Sequence, residues 1–463
     1  MFSAFLALTL CDPVIPQWPP KYRIRGTWSI PYQKIREPVE IHVDTFNTPA
    51  RQSEIKYGGA QRIVHILGNR SYTIQETPFD KVSCLFSEIQ DPASDEMHQY
   101  LPDPKDEGWV YEGVHVLLGK KCHTWKKSNI ENVANWYYMF YLDVDSNLPV
   151  RFFQHGLSIR HSHPTDYIFD VEDFGPITDE SAFLLPTTCH NIESGGPSHH
   201  NPRKFARDIS LPPRSNSLSP YCTLLPKLSG TVPSEFSWRN VPGVVDLPRD
   251  QATCGSCWAQ AAANAISSQL ALRGLSNHTI SVAQINDCTW GHNNYGCEGG
   301  NTDEAYAFLS ANKTILVPED EYPYLGIVGK CQKVTKDSYN TKIGYVKGCY
   351  QVPQFDDEQL KLAVYQKGPL SVYILASLPT FTAYQGGDKP YFDEKCTAQA
   401  ETDHVVLLTG WKKFGDDWAW EIQNSWSDFW GDNGYGYIQH GDYDCGLTQS
   451  AFLPIVELYD ENE

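Results

Sequence analysis

The sequence predicts an α+β chain: an antiparallel β-rich unit over residues 22–177, then a unit of two subdomains over residues 232–463. Three observations carry that prediction. Between Tyr22 and Ile177, short runs of Tyr, Ile, Val, Phe and Thr are broken by Gly, Pro, Asn and Asp, as in Ile41–Phe46, Gln61–Ile66 and Trp136–Val144. Such patterning reads as strands of an antiparallel sheet or a partly closed barrel. Over residues 178–231 the composition turns to Ser, Pro, Gly, Asn and His, a linker in which Arg203, Lys204 and Arg207 offer cleavage points to processing proteases. After Pro233, a helical stretch from Cys257 to Arg273, closed by Gly274, precedes a cysteine-rich loop region and then strands from about Gly368 onward. Helix first and strands later predict two subdomains with a cleft between them.

The net charge of −19 leaves nucleic acid and anionic lipid without a basic footprint to bind. Thirteen cysteines, with sequons at Asn69, Asn277 and Asn312, predict an oxidising secretory route that ends in the lysosome or outside the cell. The apolar run Met1–Leu10 is too short to span a bilayer and reads as the core of a signal peptide over residues 1–20, and no later run reaches transmembrane length. In the first unit, His161 and His163 share one strand face, but no third ligand stands near them. They read as a solvated strand edge, and no metal site is expected. Cys84 with Cys122 is a candidate staple of this sheet, and Cys189 with Cys222 a candidate tie across the linker.

The chemistry lies in the second unit. In Gln251–Ala259, Cys257 falls in the first turn of a helix, where the helix dipole and unpaired amides favour an anion and lower a thiol's pKa. A poised thiolate also needs a base and a group to orient that base. His404, in the apolar strand Asp403–Gly410, is the candidate base, and Asn424, in Gln423–Gly431, is placed to accept an imidazole N–H. Trp426 would shield that bond from water. A redox reading competes, because Cys254 and Cys257 have C-x-x-C spacing, but it gives Gln251, His404 and Asn424 no role and lacks a βαβ context.

The order Gln, Cys-Gly-Ser-Cys-Trp, Asp-His and Asn-Ser-Trp resembles the papain family of cysteine peptidases, the cathepsins, over residues 232–463. The resemblance implies a helical subdomain facing a β-barrel subdomain and a cysteine-type endopeptidase acting on peptide or protein substrates without a cofactor. It implies Cys257 as nucleophile, His404 as proton donor and acceptor, Asn424 as orienting residue, and the Gln251 amide with the Cys257 N–H as the oxyanion hole. It places Gly299, Gly300, Trp426 and Asp403 on the substrate cleft, and it pairs Cys254 with Cys297, Cys288 with Cys331 and Cys396 with Cys445. Cystatin-like inhibitors are implied partners. The rival functional reading is a catalytically silent member of the fold that works as a binding or adhesion module. Val405, Ala419-Trp420-Glu421 and Ser427 depart from the usual family residues and bear on cleft shape. The phrases Ile30–Pro38 and Ile55–Gly59 resemble the extra amino-terminal β domain of insect haemocyte cathepsins, in which an α-helical inhibitory propeptide normally follows. Residues 190–231 hold no such helix, and the β domain is expected to stay associated after processing.

Overall fold

The structure, a computed structural model, describes residues 13–460 except 48–49, 58–60, 67–69, 77–81, 89–99, 131–132, 134, 158–162, 190–218, 276–278, 291–292 and 336–337. The signal-peptide core Met1–Leu10, the sequons at Asn69 and Asn277, His161 and the linker's basic residues lie outside the described residues. Among the described helices none is long and apolar enough to cross a membrane.

The amino-terminal module is one antiparallel sheet, eleven strands among the described residues, ordered from Val82–Glu88 at one edge to Val110–Leu117 at the other. Its first strand, Lys21–Ile30, pairs with its last, Thr165–Gly175, so two meanders join at the middle of the sheet. The first hairpin shows why the chain folds this way locally. Pro31 opens a tight turn closed by the Lys34 N–H on the Pro31 carbonyl (3.1 Å), with Lys34 in the left-handed region at φ 60°. Alternation then puts Ile35, Val39, Ile41 and Val43 on the inner face, against a core of Trp28, Tyr100, Phe140, Phe152, Tyr167 and Phe169. Glu37 and Lys56 are buried on the same sheet as a 2.9 Å ion pair, which leaves neither charge uncompensated.

In the second unit, helix α1 (Cys257–Ala271) is buried almost all round. It ends where Gly274 takes φ 99° and the Leu275 N–H returns to the Leu270 carbonyl (3.1 Å), a conformation glycine adopts without a side-chain penalty. Helices α2 (Val282–Cys288) and α3 (Thr302–Ala311) pack beside it. Across from them lies a mostly antiparallel sheet whose central strands are Ala451–Leu458, Leu370–Ile374, His404–Phe414 and Asp417–Gln423. The β subdomain has its own core around Trp411, Trp420, Ile422 and Trp430. The α1 core instead runs on into the amino-terminal module.

Five disulfides are formed: Cys84–Cys189, Cys222–Cys349, Cys254–Cys297, Cys288–Cys331 and Cys396–Cys445. The Cys84–Cys122 expectation is corrected. Cys84 lies on the edge strand Val82–Glu88, whereas Cys122 lies on Lys120–Ser128, beside the opposite edge of the eleven-stranded sheet, where its thiol is free and buried. Cys189 sits under the strand that carries Cys84, and Cys222 is drawn to Cys349, where Thr223–Leu224 pairs alongside Tyr350–Gln351; the Cys189–Cys222 tie is therefore absent. Asn312, the remaining sequon, caps the end of α3 at the surface, its amide donating to the Phe308 carbonyl (2.9 Å).

Candidate active site

Cys257 is the first residue of α1, and the start of that helix has no side-chain cap. The Ser256 hydroxyl, which would ordinarily cap the amides, is instead bonded to the Tyr324 hydroxyl (2.6 Å). The first-turn N–H groups are thus left without a side-chain cap beside the thiol, and uncapped helix amides stabilise negative charge. Cys257 is outside every disulfide, while Cys254 is bonded to Cys297. The C-x-x-C pair is therefore not a dithiol, and the redox reading loses its chemistry.

Gln251 is fixed from both ends. Its N–H donates to the Ser425 carbonyl (2.9 Å), its side-chain oxygen accepts from the Ser425 hydroxyl (2.7 Å), and its side-chain amide donates to the Cys254 carbonyl (3.1 Å). An amide donor is held in this way next to the helix start. Ser425 is a residue the sequence reading missed: it follows Asn424 directly and ties the glutamine segment to the asparagine segment.

His404 opens the strand His404–Phe414, against which α1 packs, and it is fully buried. Its Nε2 lies 2.7 Å from the Asn424 Oδ1, and the Ser425 N–H also donates to that oxygen (2.8 Å). Because the amide oxygen is the acceptor, Nε2 is assigned the proton, and Nδ1, which has no hydrogen-bond partner among the described residues, is left as the basic nitrogen. Burial pushes the His404 pKa down to about 4; the Asn424 bond opposes that shift, and the charge of His163 adds to it. Trp426 lies on the imidazole at 4.8 Å and 34°, and is itself braced edge-on by Phe381 and Trp430.

The turn Gly296–Glu298, just before the glycine pair, is tied to the same helix start. The Gly255 N–H bonds the Cys297 carbonyl (2.9 Å), and the Trp258 indole bonds the Gly296 carbonyl (3.1 Å). Gly299 takes φ 102°, and a side chain at Gly300 would meet Trp258 at 2.7 Å and the Asn294 amide at 2.5 Å. Asp403 is buried, its carboxylate accepting the Ala376 N–H (2.7 Å), so it holds the loop after Leu370–Ile374. Ser427, where the family usually has glycine, adopts φ 58°, which explains the usual glycine.

The reading of His163 as a solvated strand edge is corrected. His163 is buried, its Nε2 is 2.7 Å from the Asp250 Oδ1, and its ring lies nearly parallel to Trp426 (5.8 Å, 6°). No local pattern in the sequence signals this, because its partners come from another unit of the chain.

Residues 232–455 match the family model described as papain family cysteine protease. Over 258 residues the chain is 34% identical to a cathepsin L-like protein of Caenorhabditis elegans, covering 55% of this chain and 71% of that protein. It is 34% identical over 249 residues to cathepsin K of Mus musculus, covering 53% and 71%. To cathepsin O of Homo sapiens it is 34% identical over 222 residues, covering 48% and 65%. With the family model spanning the segment that holds Cys257, His404 and Asn424, and with relatives 34% identical over 71% of their length, the chain belongs to the papain family of cysteine proteases.

Proposed function

We propose that this chain is a cysteine-type endopeptidase. The Cys257 thiolate attacks a peptide carbonyl, and His404 delivers a proton to the leaving amine. A water that His404 deprotonates then hydrolyses the thioester. Asn424 orients the imidazole, and the Gln251 amide with the Cys257 N–H holds the oxyanion. The segment of Gly299 and Gly300, where glycine at 300 lets the backbone pack against Trp258, offers its backbone to a substrate, with Trp426 as a wall. The observation that carries this reading is the His404–Asn424 bond at 2.7 Å, which commits one imidazole nitrogen and leaves the other basic. Peptides and proteins are the proposed substrates, and cystatin-like proteins the proposed inhibitors of the same cleft.

An acidic lysosomal or extracellular setting suits the chain, because burial raises the pKa of Asp287, Glu319, Glu421 and Asp444, and proton binding then favours the fold. The test is labelling with an epoxysuccinyl inhibitor and turnover of a fluorogenic peptide at mildly acidic pH, wild type against Cys257→Ser. Labelling and turnover are expected in the wild type and absent in the variant. A wild-type protein that neither labels nor turns over the peptide sinks the reading in favour of a silent binding module.

A further inference from the structure

The module and the protease meet along a seam on either side of Gln251. The Tyr32 hydroxyl donates to the Pro248 carbonyl (2.7 Å), the Gln33 side-chain oxygen accepts the Asp250 N–H (3.0 Å), and the Tyr57 hydroxyl donates to the Leu325 carbonyl (2.9 Å). His155 packs edge-on against Phe429 at 4.8 Å. These contacts dock one unit on the other without reaching the catalytic groups.

His163 differs from them. Asp250, fully buried, takes His163 Nε2 and the Ala252 N–H on the same oxygen, at 2.7 and 2.8 Å. Asp250 also forms an antiparallel bridge with Trp426, so His163 bonds one member of that bridge and stacks on the other. Asp250 precedes Gln251, and Trp426 lies two residues beyond Asn424 and rests on His404. One imidazole from the module thereby spans the two segments that carry the oxyanion amide and the orienting amide.

We propose that His163 is a positioning residue of the active site, supplied by the β module, which holds Trp426 over the His404–Asn424 bond and fixes the Gln251 segment through Asp250. The proposal rests on the catalytic reading above. It makes the module part of the working enzyme. The titratable groups on the elements packed around His404 are Cys257 at the start of α1, Asp403 just before its strand, and His163, bonded to Asp250, across the seam. Burial is the main cause of the lowered His404 pKa, and of these groups His163 adds to it.

The test uses the full chain and a peptidyl amide with a small fluorescent leaving group, so that leaving-side sterics do not enter. A small misplacement of catalytic groups is costly, so His163→Ala is expected to lower kcat roughly tenfold with KM within about twofold. The limb of the kcat/KM profile set by His404 is expected to move to higher pH, because a like charge and some of the burial are removed. His163→Gln, which keeps a donor for Asp250 and a planar face for Trp426, is expected to recover several-fold of the lost kcat. Tyr57→Phe, which removes a seam bond away from both segments, is expected to leave kcat and the profile unchanged. The proposal is overturned if His163→Ala changes thermal stability alone, or if Tyr57→Phe lowers kcat as much. Should the alanine variant fail to fold, His163→Leu, which keeps bulk at the site but removes both the donor to Asp250 and the planar face on Trp426, overturns the proposal equally if its kcat and pH profile are those of the wild type. Labelling of wild-type Cys257 separates these outcomes from failure of the peptidase reading itself.

Discussion

Gln251 is held by three hydrogen bonds that fix its side-chain amide on the Cys254 carbonyl, three residues before α1 begins. In the proposed oxyanion role, a donor fixed in this way is oriented before charge develops and needs no rearrangement at the moment of reaction. Gln251→Ala should lower kcat by about a hundred- to a thousandfold with little change in KM, measured with a short fluorogenic peptide. Asn424→Ala should free the imidazole to rotate and should reduce kcat by a smaller factor, with a pH–rate profile displaced to lower pH because the bond that supports the charged imidazole is gone. These groups were legible in the sequence because each sits in its own short contiguous motif. His163 was not. Its bond to Asp250 spans 87 positions and its stacking partner Trp426 lies still further along the chain, so an H-x-H pattern on a strand carries no trace of either.

At the level of elements, the two units and their order were readable from the change in period, from alternating strand runs to a long helix and then strands again. Cross-chain ties were readable only inside the family pattern. The Cys84–Cys189 and Cys222–Cys349 bonds depend on which strand edges lie close in space, which spacing does not encode. Their arrangement has a consequence for processing. Cys189 is bound within the module and Cys222 within the protease, and no described disulfide crosses from one unit to the other. After a cut at Arg203, Lys204 or Arg207, the two pieces should separate on a denaturing gel without reductant yet elute together under native conditions. A single unreduced band would show a covalent link and refute this. Replacing Cys222 and Cys349 by alanine should cost about 2–5 kcal/mol of stability, since the loop that this bond closes is long, and denaturant unfolding of the full chain measures it.

For the whole molecule, pH acts through buried groups whose shifts run in opposite directions. Burial raises the Asp287 carboxyl from 3.8 to about 7, even though the Gly329 N–H and the Tyr322 hydroxyl both bond it. The folded chain therefore binds a proton there more readily than the unfolded chain, so this group's contribution is fully present below about pH 4 and is lost as pH rises through about 7. His404 is lowered instead, and its contribution grows with pH between about 4 and 6.5. The wild-type stability curve mixes the two, and the informative quantity is the difference between wild type and Asp287→Asn. Asparagine is neutral at every pH and keeps an acceptor for Gly329 and a polar partner for Tyr322, so it should remove the Asp287 dependence and leave that of His404. Relative to wild type, the variant should gain up to about 4 kcal/mol between pH 4 and pH 8, measured by denaturant unfolding at each pH. A difference that stays flat across that range would mean that Asp287 ionises at its ordinary pKa in the fold, and the preference for acid would then have to come from Glu319, Glu421 and Asp444 alone.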